Sequence, residues 1–373
     1  MTSIDRPRIA VDLRALVGRP SGIGYLTLSL LEALGSSARA RYVGMAQRPV
    51  AEEQRLRQAG VALEAHGAPL GLWWQQWQLP RRLAAGDIDL LWSPLLTLPL
   101  RLPVPGVVTV HDLTPLLFPE THRLKVRLSV LPFLRPTLER ARRIAVDSEA
   151  TAADLRTHFP SCAERLRVVY PGIDAAFRPA PKEQVEATRK AVGCPDGYLL
   201  FAGTLEPRKN VATLLDAWEG LRSAESGTPP LLIVGPYGWR SRRLLGRMRR
   251  LSSRGLHYLG HVARERLVEL VQAARVFVYP SLYEGFGLPP AEAMACGVPT
   301  IVSNRSSLPE VVGDAGLLVD PDDAADLARG LSSLFDSPGL AQRLGERGVE
   351  RSRRFSWERS AELMDQLFDD ALE

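Results

Sequence analysis

The chain of 373 residues has little cysteine and almost no lysine. Its three cysteines, Cys162, Cys194 and Cys296, share no metal-ligand or redox spacing. That excludes a cysteine-built metal or disulfide framework and suits a reducing cytosol. Only four of the 47 cations are Lys, and after Lys190 there is one, Lys209. A chain that uses Arg almost everywhere has kept a compact ammonium at that place. No long apolar run is unbroken. The stretch 90–110 has the length of a membrane span, but Arg101, Pro94, Pro99, Pro103, Pro105 and Gly106 interrupt it, so no lipid-facing helix is expected. The opening MTSIDRPRIAVDL carries charges where a secretion signal needs an apolar core, so a cytoplasmic location is expected. Low-complexity segments and short repeats are absent as well.

What is present fits two α/β domains: the length suffices, and 45% of the residues are hydrophobic. Charge is uneven. Residues 1–178 hold 23 Lys+Arg and 16 Asp+Glu, giving +7, and residues 179–373 hold 24 and 26, giving −2, which together make the +5 of the whole. The first half therefore suits an acidic partner: nucleic acid, an anionic membrane or a phosphate-bearing acceptor.

Residues 276–302, VFVYPSLYEGFGLPPAEAMACGVPTIV, organise the rest. VFVYPS reads as a buried strand. A loop with Gly285 and Gly287 follows, and Pro289 and Pro290 open a helix that Gly297 stops. PTIV begins the next strand. Such a loop lies at the carboxyl end of a strand, where open α/β sheets bind ligands. Two acids sit eight positions apart: Glu284 in the loop and Glu292 in the first turn of the helix. A helix N-terminus attracts anions by ~0.3–1 kcal/mol, yet two carboxylates beside it would repel a bare phosphate. A ligand with hydroxyls and phosphates satisfies both features, and that ligand type is a nucleotide sugar. Taken singly, Glu292 could be only a surface acid at a helix start, and Gly-Phe-Gly only a turn.

The other segments fall into strand–helix units. RIAVDL (8–13) reads as a first strand, RALVGRPSGIG as a loop and 25–34 as a helix, with Gly22 and Gly24 letting backbone approach a ligand. Trp73, Trp74 and Trp77 have helical spacing and precede Arg81 and Arg82, a pattern that suits either a membrane interface or core packing. VVTVHDLTPLLFPE (107–120) is a strand ending in His111 and Asp112. Residues 143–160 form a strand and a helix capped by Ser148 or Thr151. The domain boundary is expected near 178. YLLFAGTLEPRKNVATLLDAW (198–218) is a strand, a loop with Arg208 and Lys209, and a helix; two cations there suit a pyrophosphate clamp. LLIVGPYGW (231–239) suits the border of a nucleotide, and 242–255 is a basic amphipathic helix read as a solvated surface. FSWERSAELMDQLFDDAL (355–372) is a terminal amphipathic helix.

YEGFGLPPAEAMACGVPTI, with its glutamate spacing, closely resembles the signature of the retaining glycosyltransferases of family four, and the resemblance extends over nearly the whole chain. It implies the α/β GT-B fold: two Rossmann-like domains facing each other across a cleft, residues 1–178 for the acceptor and 179–354 for the donor, with 355–373 crossing back to the first. It implies that Glu284 faces the donor sugar hydroxyls and Glu292 the ribose, and that N–H groups around Gly285, Phe286, Gly287 and Leu288 line sugar and pyrophosphate. It further implies that Gly22, Ile23 and Gly24 face the pyrophosphate, that His111 and, less directly, Asp112 lie beside the reacting sugar, and that Gly260, His261 and Val262 lie near the base. The family often has an arginine where this chain has Thr204, which leaves more of the phosphate contact to Arg208 and Lys209.

The expected activity is retaining transfer of a hexose from a nucleotide diphosphate sugar, by front-face displacement without an enzyme nucleophile. GDP-mannose is the favoured donor, because the whole-chain pattern looks most like bacterial mannosyltransferases of cell-surface glycan assembly; UDP-glucose and dTDP-rhamnose fit the same residues. Arg208, Lys209 and helix-end N–H groups would stabilise the leaving diphosphate, so no metal or cofactor is expected. The expected acceptor is a lipid-linked or other glycan at the inner membrane face, with peripheral contact to anionic lipid and no nucleic acid. Two alternatives stay open: a sugar-nucleotide epimerase on the same fold, and a non-catalytic nucleic-acid or membrane-binding protein.

Overall fold

A computed structural model of the chain describes residues 6–18, 22–119, 124–224, 227–238 and 241–373. Arg19, Pro20 and Ser21 of the first glycine loop, Glu120 and Trp239 lie outside the described residues, as does the opening MTSID. The chain divides into two units, Met1–Gly172 with Phe355–Glu373, and Ile173–Arg354. The division falls at Gly172 rather than near 178, because Asp174 pairs with Arg264 and Phe177 is buried in the core of the second unit.

The strands of the first unit are β1 (Arg8–Asp12), β2 (Arg41–Ala46), β3 (Ala62–Ala65), β4 (Leu90–Ser93), β5 (Gly106–Val110), β6 (Arg143–Val146) and β7 (Leu166–Val168). They form one parallel sheet in the order β3-β2-β1-β4-β5-β6-β7. Alternate side chains feed opposite faces, as the pleat requires: Ile9 and Val11 join one apolar cluster and Ala10 the other. The face of Ile9 is covered by the helix Gly22–Ser37 and by the terminal helix Trp357–Leu372, which brings Met364, Leu367 and Phe368 against Leu28, Leu31 and Leu34. The Phe368 ring lies 5.8 Å from Trp92 and 6.4 Å from Tyr42. The terminal helix begins where Ser356 accepts from the Arg359 N–H. The helix over Gly22–Ser37 starts earlier than its apolar periodicity indicates, so Gly22, Ile23 and Gly24 lie in its first turn and not in a loop. The Thr27 hydroxyl donates to the Ile23 carbonyl there.

The second unit has β8 (Leu199–Ala202), β9 (Leu231–Val234), β10 (Leu256–Gly260), β11 (Val276–Tyr279), β12 (Thr300–Ser303) and β13 (Gly316–Val319), again all parallel, in the order β10-β9-β8-β11-β12-β13. Helices cover both faces, so the strands read as nearly unbroken apolar runs. Each sheet reverses its strand order once, between β1 and β4 in the first and between β8 and β11 in the second. Loops leaving the carboxyl ends of such a strand pair diverge and leave a crevice, the usual ligand position of a doubly wound sheet. Met248 and Leu251 of the helix Arg242–Leu251 are buried, and its Arg247 is bound to Asp216 and Glu219. Among the described residues no helix is long and apolar enough to cross a membrane.

Candidate active site

The loops after β8 and β11 bring Arg208, Lys209 and Glu284 together at the switch point of the second sheet. Lys209 ends a single 3-10 turn, Pro207–Lys209, closed by Asn210 in a left-handed conformation. Its ammonium donates to Oε1 of Glu284 at 2.6 Å and to the Tyr279 hydroxyl at 2.6 Å. The Arg208 guanidinium lies 3.0 Å from Oε2 of Glu284, donates to Glu206 at 2.7 Å and also donates to the Tyr283 carbonyl. Ser281 donates to Oε1 of Glu284 at 2.6 Å. The backbone of Glu284 is fixed by Ser306, which accepts from its N–H and donates to its C=O, and by Ser307.

Lys209 and Glu284 are both buried, so each charge depends on the other. Burial pushes the Lys209 ammonium below its ordinary range, with Glu284 opposing. Burial would raise the Glu284 carboxyl, but the charges of Lys209 and Arg208 outweigh it and hold it at about 2. At neutral pH Glu284 is therefore an acceptor only.

The helix after this loop is Leu288–Ala295, with both prolines in its first positions. Gly287 precedes it with φ +108°, and a Cβ there would sit 2.7 Å from Leu308. The helix starts one residue before Pro289, so Glu292 lies beyond the first turn and not within it, which corrects the sequence expectation. Glu292 is buried and 3.3 Å from Arg264, which also contacts Asp174 at 3.1 Å. Burial lifts its carboxyl to about 7, despite the Arg264 charge.

His111 belongs to the first unit, as do Gly22, Ile23 and Gly24. It follows β5 directly. Asp147 follows β6, and the register Val110↔Val146 sets the two residues side by side. Nδ1 of His111 is 2.7 Å from the Asp147 carboxylate and Nε2 is 2.9 Å from the Pro94 carbonyl. Both neighbours are acceptors, so only the doubly protonated ring makes both bonds. Burial would lower its pKa, and Asp147 outweighs this and raises it. His111, Asp147, Thr27 and Tyr170 line a cavity of about 30 Å³, with room for a water or two. The Asp112 carboxylate is occupied locally: it accepts from the Thr114 N–H at 2.8 Å and from the Thr114 hydroxyl at 2.5 Å.

Sequence reasoning missed Asp147, Arg264, Ser281 and the Ser306–Ser307 pair. A signal existed for two of these. Asp147 is the first residue past its strand, as His111 is, and the two serines follow β12, which neighbours β11. Among the described residues, no group of three or more His, Cys, Asp or Glu could hold a metal ion.

Residues 20–177 match a family model described as Glycosyltransferase Family 4, and residues 186–351 one described as Glycosyl transferases group 1. The O-antigen chain mannosyltransferase B of Escherichia coli is 36% identical over 255 residues, covering 68% of this chain and 67% of that protein. The serotype-specific mannosyltransferase WbdA of Escherichia coli is 28% identical over 265 residues, covering 69% of this chain but only 32% of that protein. Among solved structures, HepE of Anabaena in complex with UDP and glucose superimposes with TM-score 0.76 at 19% identity, covering 98% of this chain and 99% of that one. Sucrose-phosphate synthase of Thermosynechococcus elongatus gives TM-score 0.77 at 24% identity, covering 98% of each chain. At those identities the two structures speak to the fold alone.

Proposed function

Because this chain is a glycosyltransferase of the family-four, group 1 family, we propose that it transfers mannose, with retention, from GDP-mannose to a growing glycan of cell-surface polysaccharide. The observation that carries the reading is the buried cluster of Lys209, Arg208 and Glu284 at the switch point of the second sheet. Both cations lie on Glu284. A diphosphate entering the crevice takes up their charge, and the oxygens of Glu284 are then released to accept from sugar hydroxyls. The cations stabilise the negative charge that grows on the leaving diphosphate. Glu292 serves the ribose, and the second unit is the donor unit. The chemistry needs no enzyme nucleophile and no metal: the leaving phosphate helps remove the acceptor proton.

Mannose is favoured by the likeness to two mannosyltransferases of Escherichia coli, one of which matches over 67% of its own length. The basic first half favours an acceptor that carries phosphate, such as a lipid-linked glycan, met at the inner membrane face. A thermal-shift series of nucleoside diphosphates, followed by transfer assays with the matching nucleotide sugars, tests the reading. Stabilisation by GDP and transfer from GDP-mannose are expected. A larger shift with UDP, or turnover of donor without acceptor, would overturn it.

A further inference from the structure

The tryptophan-rich run 71–83 is continuously helical, α over Gly71–Trp73, widened to π over Trp74–Gln78, and α again over Leu79–Leu83. It splits its tryptophans. Trp74 is fully buried in the first unit, whereas Trp73 and Trp77 are 43% and 55% exposed. Four residues apart, these two share a face. Leu70, 62% exposed, precedes Trp73 by one turn, and its carbonyl accepts from the Trp74 N–H. Leu100, 43% exposed, is held beside the run because its N–H donates to Gln76 at 2.9 Å. Gln75 and Gln76 of the run are turned to the protein itself: Gln75 bonds Thr97, and Gln76 bonds the backbone of Leu98 and Leu100. Arg82 is spent on Glu64 and Asp87. What remains outside is an aromatic and aliphatic face, beside which Arg48, Arg81 and Arg101 are exposed. Residues 66–86 and 90–111 contain no Asp or Glu at all.

We infer that Leu70, Trp73, Trp77 and Leu100 form a docking face for an anionic lipid bilayer, with Arg48, Arg81 and Arg101 meeting its headgroups. Indole rings favour the water–lipid boundary, since one part of the ring is apolar and the N–H stays wet. Arginines beside them add attraction to anionic lipid, and long basic side chains reach the headgroups while their stems lie along apolar surface. Neither window contributes a carboxylate, and the flanking Glu64 and Asp87 are paired with Arg82, which limits the repulsion such a surface would exert. A sugar-stacking platform fits less well, because the Gln75 and Gln76 amides are committed to the protein itself. The inference deepens the proposed lipid-linked acceptor and rests on it for its purpose, but not for the binding itself.

The test is co-sedimentation of the full chain with vesicles of phosphatidylcholine alone and of equal parts phosphatidylcholine and phosphatidylglycerol. Binding to the anionic vesicles is expected, weakened by salt and accompanied by a blue shift of tryptophan emission. W73S/W77S is expected to weaken binding about tenfold or more, and R81Q/R101Q to remove most of the preference for phosphatidylglycerol. Both double variants should keep the melting temperature and the nucleotide-induced shift of the parent. A nucleotide shift retained while vesicle binding is absent, or is unchanged in W73S/W77S, overturns the docking face and leaves the donor reading standing. A dimer that W73S/W77S converts to a monomer, or a soluble glycan that quenches Trp73 and Trp77 without vesicles, also overturns it. Vesicle binding without any nucleotide shift supports the face and counts against the donor reading.

Discussion

The Lys209 ammonium and Oε1 of Glu284 lie 2.6 Å apart in the interior of the second unit, and each is the other's main source of compensation. Removing one member of a buried pair strands the other, at a cost of about 3–5 kcal/mol. Lys209→Met and Glu284→Gln are each expected to lower the unfolding midpoint in urea and to abolish most transfer. The double variant should recover most of the stability but none of the activity. Normal turnover in either single variant would remove the pair from the chemistry.

The same pair carries an acid signature. The folded-state carboxyl of Glu284, at about 2, is depressed below its ordinary 4.5. Its contribution to stability is therefore complete above about pH 4.5 and is lost as pH falls toward 2. Urea unfolding of the parent between pH 6 and 3 should lose stability more steeply than that of Lys209→Met/Glu284→Gln.

Glu292 titrates near neutrality because it is buried. The ionised form accepts hydroxyl hydrogens on both oxygens, and the neutral form offers less. Affinity for the nucleoside diphosphate, measured by calorimetry, should rise as pH goes from 6 to 8. Glu292→Gln should be weaker and should lose that rise.

His111 shows the opposite pH behaviour. Its folded pKa is raised above the ordinary 6.5, so the stability from its bonds to Asp147 and Pro94 is present below 6.5 and lost as pH rises through the raised value. In an NMR titration, Asp147→Asn should move the His111 midpoint down. An unmoved midpoint would show that Asp147 does not hold the imidazolium.

Gly287→Ala forces a side chain into a left-handed backbone against Leu308. A cost of ~1–3 kcal/mol is expected. Because this residue sets the start of the helix that carries Glu292, a weaker nucleotide-induced thermal shift should accompany the lower melting temperature.

The strand–helix order was legible because buried parallel strands leave plain apolar runs, such as VFVY at 276–279 and LLIV at 231–234. The acid and cation motifs were legible because each follows such a run. Partnership was not. The sequence offered Arg208 and Lys209 as a phosphate clamp, and nothing local says that both lie on Glu284, since that contact depends on β8 and β11 being neighbours. The placement of Glu292 failed by part of a turn because Leu288, and not Pro289, begins the helix. The split of Trp74 from Trp73 and Trp77 was not legible, because helical spacing sets Trp73 and Trp77 on one face and Trp74 on another without saying which face meets the core.

The terminal helix has a consequence for synthesis. Met364, Leu367 and Phe368 complete the core of a unit whose strands were all made first, with Ile173–Arg354 translated in between. On the ribosome the contiguous middle portion can therefore finish folding before the amino-terminal one, which must wait with part of an apolar sheet face uncovered. Loss of Met364, Leu367 and Phe368 would injure the first unit rather than the one that precedes them in sequence.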